Sequence, residues 1–307
     1  MDRAQAEREL NQMLEDASHS DRYYTAAEVQ QHMEKLFAPE NIVYLTGDTH
    51  GRFDRVEAFC RRQEVEMGNT FIILGDVGLN YFGDYRDEEK KAQLAALPCT
   101  FFCLHGNHEQ RPSPLMGYQL SEYHGGSVWV EPQYPNIVFA IDGEIYDFCG
   151  HSCLVIGGAY SVDKWYRLAR GFHWWPDEQP SPEVRDKVES VLQQHGWQVD
   201  IVLTHTCPLK YEPREVFLQG LDQSTVDKST EIWLDEIESK LQYERWYCGH
   251  YHTEKQIDKI RFMFEDYALI PHTVSIEEEK AIIAKMQRQA EIVAALGLLE
   301  DTEEEAH

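Results

Sequence analysis

The chain has 307 residues, 42% hydrophobic and 12% aromatic, which suits one large folded domain with additions and argues against a disordered chain. Its 28 basic residues face 54 acidic ones; the net charge of −26 disfavours long nucleic acid on a broad basic face but leaves room for a small phosphorylated ligand at a local positive centre. No run approaches the roughly 20 apolar residues that span a bilayer, the N-terminus is too polar for a secretory signal, and the seven scattered cysteines read as reduced, mostly buried thiols, so a cytoplasmic protein with no membrane partner is expected.

In chain order, residues 1–40 are expected to form a helical extension: Thr25 and Glu28 make a capping box, and Val29, Met33 and Leu36 share one face. A main domain over 41–270 follows. It opens with a strand at about 42–47, a helix near 53–65, the strand "TFIILGD", a helix near 87–97 and the strand "CTFFCLHGN". This repeated β-α-β pattern predicts a sheet with helices on its faces. "NIVFAIDGEIYDF" holds two alternating runs around Asp142-Gly143, a strong hairpin signal. Further strands are expected at "HSCLVIGGAY", "QVDIVLTH", "RWYCGHYH" and "KIRFMFE", with a helix near 182–195. Residues 271–307 read as a last amphipathic helix opened by Ser275 and Glu278, then an acidic tail. The apolar stripes of the terminal helices suit packing on the main domain, with a homodimer through them as the alternative.

The polar residues that end these strands form a pattern. Asp48 and His50 follow the first, Asp76 the second, Asn107 and His108 the third; His205 follows "DIVLT", and His250 and His252 end "RWYCG". In open α/β sheets sites lie beyond the carboxyl ends of strands, so these side chains should converge. Imidazole with carboxylate is the ligand mix of borderline divalent transition metals. Asp48/His50 and His250/His252 are i, i+2 pairs, which point to one side in an extended chain.

Taken together, "GDTHG", "GDVG", "GNHE", "LTH" and "GHYH", in that order, resemble the signature of the calcineurin-like metallophosphoesterases, over about 42–265. The resemblance implies a four-layer α/β/β/α sandwich whose catalytic domain is the 41–270 region. It implies two divalent metal ions, with Mn²⁺ the first choice and Fe or Zn²⁺ the alternatives. Asp48, His50 and His252 would hold the first metal and Asn107, His205 and His250 the second, with Asp76 bridging both. His108 would be catalytic, beside the leaving-group oxygen or a phosphoryl oxygen. A metal-activated water would then hydrolyse a phosphate ester. The substrate would be a small-molecule, nucleotide or phosphopeptide monoester, or a small diester. One alternative is a phosphodiesterase or nuclease on cyclic nucleotides, dinucleotides or nucleic acid; another is a non-catalytic metal-bearing scaffold. Decay to a scaffold should first erase ligands, and none is missing.

The protein-phosphatase branch of that family carries GDxxDRG, whereas Leu79-Asn80-Tyr81 stands here, and the final motif is GHxH rather than GH. The acid that would orient the histidine and the arginine that would bind phosphate are both missing from those positions, which argues against a dedicated Ser/Thr protein phosphatase. For substrate recognition, "SVDKWYRLARGFHWWPDEQPS" interleaves Lys164, Arg167 and Arg170 with Trp165, Tyr166, Trp174 and Trp175. That pattern suits either a nucleotide or an amphipathic helix packed on the sheet. Arg52 and Arg111 are further phosphate-clamp candidates that could equally pair with surface acids. Cys99/Cys103 and Cys149/Cys153 have C-x₃-C spacing, for which buried core thiols are preferred over a zinc site, and Cys207 is expected near the metals.

Overall fold

The computed structural model describes residues 42–217 and 222–270. The central strands of the first sheet divide their side chains between two cores. Along β1 (Val43–Thr46), Val43 and Leu45 join one buried cluster while Tyr44 joins another, as a two-residue period requires. β2 (Thr70–Ile73) and β3 (Thr100–Cys103) repeat this split, with Phe102 on one face and Phe101 and Cys103 on the other. Between them run α1 (Asp54–Arg62) and α2 (Tyr85–Ala95), whose Val56, Phe59 and Leu94 cover the outer face.

The sheet is completed by β4 (Gln119–Tyr123), β5 (Gly126–Val130), β6 (Ile137–Ala140) and β13 (Ala268–Ile270), in the order β13-β1-β2-β3-β6-β5-β4. A second sheet contains β7 (Ile145–Phe148), β8 (His151–Ile156), β9 (Ile201–Thr204), β10 (Arg245–Cys248), β11 (Lys255–Ile257) and β12 (Ile260–Phe262), ordered β11-β12-β10-β9-β8-β7. Residues of both sheets, among them Leu45, Ile72, Phe102, Val155, Leu203 and Tyr247, share one core. The outer face of the second sheet is covered by α4 (Pro182–Gln194) and α5 (Ser229–Glu238), through Val188, Leu192, Trp233 and Ile237. The order is therefore helix, sheet, sheet, helix, the expected four-layer α/β/β/α sandwich. A further short helix, α3 (Lys164–Arg170), follows β8.

The expected hairpin around Asp142-Gly143 is overturned. The turn itself forms, with Glu144 N donating to the Ile141 carbonyl, but β6 belongs to the first sheet and β7 to the second. Both edges of β6 are already paired, by β3 and β5, so no edge remains for β7. Asp142 instead ties the crossing down by accepting from Gly157 N (2.7 Å) and Arg111 Nη1 (2.6 Å). β7 instead forms its hairpin with β8. Another hairpin, β4–β5 around His124-Gly125, has a polar, exposed first strand, so it carries little of the alternation that reveals strands. The helical readings of 1–40 and 271–307, and any homodimer through them, lie outside the described residues. No described helix is long and apolar enough to cross a membrane.

Candidate metal centre

Parallel registry aligns the strand ends. Thr46, Ile73 and Cys103 lie level across β1–β2–β3, and Thr204 and Cys248 across β9–β10. The loops beyond these ends bring Asp48, His50, Asp76, Asn107, His108, His205, His250 and His252 together. Three overlapping groups have ligand atoms close enough to hold a cation: Asp48, His50 and His252; His50, Asp76 and His108; Asp48, Asp76 and His205. His108 is thus within the same reach as the other side chains, so geometry alone does not set it apart.

The i, i+2 pairs converge for a different reason than expected. His50, His250 and His252 lie at φ 48°, 66° and 48°, and Asp76 at 46°, so these loops use left-handed turns rather than extended chain. Gly75 (φ 93°) packs directly on the His205 ring, and Gly106 packs on the backbone and carboxylate of Asp76. A Cβ at either position would collide with them.

The ligand atoms of the centre lie in close contact. His205 Nδ1 donates to the Leu74 carbonyl at 2.7 Å, and its Nε2 lies 2.9 Å from Asn107 Oδ1. The Asn107 amide is oriented by its Nδ2 donating to Ser161 Oγ at 2.9 Å, so the same oxygen also faces His250 Nδ1 at 3.0 Å. On the other side His50 Nε2 and His252 Nε2 lie 2.9 Å apart, and His252 Nε2 is 3.2 Å from Asp48 Oδ2. That buried oxygen has no well-formed hydrogen bond among the described residues. Imidazole nitrogens and carboxylate oxygens crowded within 4.8 Å of one another are a donor set that fits divalent metals.

Charge follows the same logic. Burial alone would raise the Asp48 carboxyl, but the His252 contact and the nearby His205 and His50 rings outweigh it and hold it below the ordinary range. Asp76 is likewise held far down: burial opposes, and His108, His205 and His50 win. Burial lowers His50 and, with His205 beside it, pushes His250 down to about 3. Both rings are neutral at ordinary pH, as a ligand requires. His108 goes the other way: burial would lower it, yet Asp76 and Asp163 raise it.

The family model for calcineurin-like phosphoesterases matches residues 42–254. The chain belongs to that family. A search of curated proteins finds no match. Solved structures with similar coordinates include TT1561 of Thermus thermophilus (12% identity, TM-score 0.42, covering 75% of this chain and 93% of that one). They also include the phosphopantetheinyl hydrolase PptH of Mycobacterium tuberculosis (12%, 0.39, 73% and 88%). A third is the cold-active protein-tyrosine phosphatase of a psychrophilic Shewanella species (13%, 0.30, 75% and 75%). Likenesses this weak carry no argument about substrate.

Three residues of this calcineurin-like phosphoesterase escaped the sequence reading. Glu109, the last residue of "GNHE", accepts from Val77 N (3.3 Å), Gly78 N (3.0 Å) and Gly106 N (3.0 Å), locking the β2 and β3 loops together. Arg55 braces the β1 loop through Thr46 Oγ1 (2.8 Å) and the Asp48 carbonyl (2.9 Å). Asp163 places Oδ1 3.5 Å from His108 Nε2, too far for a good hydrogen bond but close enough to attract its charge. Glu109 and Asp163 lie inside quoted segments and could have been found; Arg55 carries no local signal.

Of the cations singled out, only Arg167 reaches the centre. Its Nη2 lies 2.9 Å from His108 Nδ1, its Nη1 donates to Tyr81 Oη (2.9 Å) and its Nε to Asp163 (2.8 Å). Arg111 is committed to Asp142 and Asp177, and Arg52 is exposed. Lys164, Trp165 and Arg170 lie on α3 with Arg167. Among the cysteines only Cys149 is exposed; the other six are buried core thiols. Against the ligand cluster opens a cavity of about 490 Å³, bounded by Asp76, His108 and His250 on one side and by Tyr160, Phe217 and Tyr251 on the other.

Proposed function

We propose that the chain hydrolyses a phosphate ester by a dinuclear metal mechanism. The observation that carries this is the convergence, beyond the strand ends, of three overlapping groups of imidazole and carboxylate ligand atoms, each group within 4.8 Å. Asp48, His50 and His252 would hold one divalent ion, and Asn107, His205 and His250 the other, with Asp76 shared; Mn²⁺ is the ion we favour, with Fe or Zn²⁺ as alternatives. Bound there, the ions supply Lewis acidity toward the phosphoryl oxygens and toward the attacking water.

The chain's own groups do the rest. His108 accepts from Arg167 at Nδ1 and faces Asp163 at Nε2, where it would hold a proton for the departing oxygen. Arg167 takes a phosphoryl oxygen while Asp163 and Tyr81 fix its fork. The acid and arginine missing after the second motif thus have counterparts here that come from α3 and the residue before it. The buried Leu74 carbonyl holds His205 in the tautomer that leaves Nε2 free. The walls of the cavity exclude bulk water from the reacting phosphorus.

The test is hydrolysis of p-nitrophenyl phosphate and bis-p-nitrophenyl phosphate with Mn²⁺, comparing the native chain with Asp76→Asn and His108→Ala. Turnover of at least one ester, abolished by chelation and restored by Mn²⁺, is expected, with His108→Ala costing ~10²-fold or more. Two bound metals without turnover of either ester would overturn the proposal and leave a metal-bearing scaffold.

A further inference from the structure

The sequence left α3 balanced between nucleotide recognition and plain packing, and the way its side chains face decides the matter. A helix that merely packs turns its rings inward. Here Trp165 is 68% exposed, Tyr166 56% and, just past the helix, Phe172 50%. These rings surround cations instead of core. Lys164 Nζ lies 3.8 Å from the Trp174 ring centroid and 5.5 Å from that of Trp165, and the Arg170 guanidinium 5.4 Å from that of Tyr166. The Tyr166 and Phe172 rings are 6.2 Å apart.

Charge sharpens the point. In a chain with 54 acidic residues, the seven of α3 include three cations and no acid. Arg167 is the one of these that forms an ion pair among the described residues, with Asp163. It is also the one that touches His108, so α3 joins the centre at one face and opens to solvent at another.

We infer that α3 recognises a short nucleotide: a base stacks on Trp165 and its neighbouring rings, and a phosphate other than the scissile one meets Lys164 and Arg170. This rests on the phosphoesterase reading above. Aromatic faces take any base, because every base has a π face, and flanking cations track the backbone. The −26 net charge confines the attraction to this local patch and so to a ligand of a few residues rather than a long strand.

The experiment uses the full chain and three diesters: the 5′-phosphorylated dinucleotide pApA, ApA without that phosphate, and bis-p-nitrophenyl phosphate without a base. Hydrolysis is followed with Mn²⁺, and binding is followed by quenching of tryptophan fluorescence. Trp165→Ala is expected to raise KM for pApA about tenfold more than for bis-p-nitrophenyl phosphate and to remove most of the quenching. The double variant Lys164→Ala/Arg170→Ala should erase the advantage of pApA over ApA. Equal losses on all three esters, or quenching unchanged in Trp165→Ala, overturn the inference. So does a single-stranded 20-mer that binds at least tenfold tighter than pApA. Trp165-dependent quenching without hydrolysis of any of these esters or of p-nitrophenyl phosphate would sink the phosphoesterase reading while sustaining the recognition surface. Hydrolysis without base dependence would do the reverse.

Discussion

The centre and α3 are built on opposite terms. The centre is largely enclosed and held by backbone groups: Glu109 clamps three loop amides, and the Leu74 carbonyl fixes His205. α3 is exposed, rich in cations and rings, and tied to the centre through Arg167. Chemistry that depends on distances of a few ångströms sits where packing allows one arrangement. Recognition that depends on faces and charge sits where side chains remain free to adapt. Substitutions that disturb packing in the first region should therefore cost shape as well as rate, and those in the second only affinity.

The largest effect should come from Asp76→Asn, which removes the shared carboxylate. A fall in kcat of about a thousandfold, or ~4 kcal/mol, is expected with the circular dichroism spectrum unchanged. An active Asp76→Asn would break the contrast outright. Next is a pH effect on stability at Glu231, a buried residue of α5 at the cavity. Burial pushes its carboxyl up to about 7, and its Oε2 has no hydrogen-bond partner among the described residues. The folded chain keeps a proton that the unfolded chain releases near the ordinary carboxyl value. Its contribution is therefore full below that value and is lost as pH rises through 7. Urea midpoints of Glu231→Gln should gain on the native chain by roughly 3 kcal/mol between pH 4 and pH 8. No change in the gap with pH would show the carboxyl to be ionised in the fold.

Gly106→Ala drives a methyl into Asp76 and should destabilise by ~1–3 kcal/mol, with weaker Mn²⁺ binding by calorimetry. The smallest effect belongs to α3: Trp165→Ala and Arg170→Ala should leave the thermal midpoint equivalent to within about 0.5 kcal/mol of stability. A larger loss would mean that the rings help to hold the fold, and the contrast would blur.

The same contrast explains what could be read from the sequence. The strands and the candidate ligands beyond them were legible because burial imposes alternation and because glycine, aspartate and histidine cluster where chain leaves the sheet. The i, i+2 argument expected these side chains to converge from extended chain, whereas left-handed turns bring them together. What was not legible depends on tertiary pairing. β6 and β7 flank a good hairpin turn, yet they part because β3 and β5 already occupy both edges of β6. Arg55 braces the β1 loop partly through the backbone, and nothing in its neighbourhood marks it; Asp163 lay in a marked segment, but its partner His108 is distant in sequence. Arg111 and Arg52 looked alike in sequence, and only the fold shows one tied to Asp142 and the other turned to solvent.

The left-handed backbone at Asp76 has a consequence for how such a protein can change over generations. Asparagine tolerates that conformation as aspartate does, and its side-chain oxygen can still accept from the His108 backbone amide, now 2.8 Å away. A valine or isoleucine at the same place would break the turn. One nucleotide substitution converts an aspartate codon into an asparagine codon. The nearest viable neighbour of this enzyme is therefore a protein of the same shape with its reaction switched off, one mutation away and open to selection for binding alone.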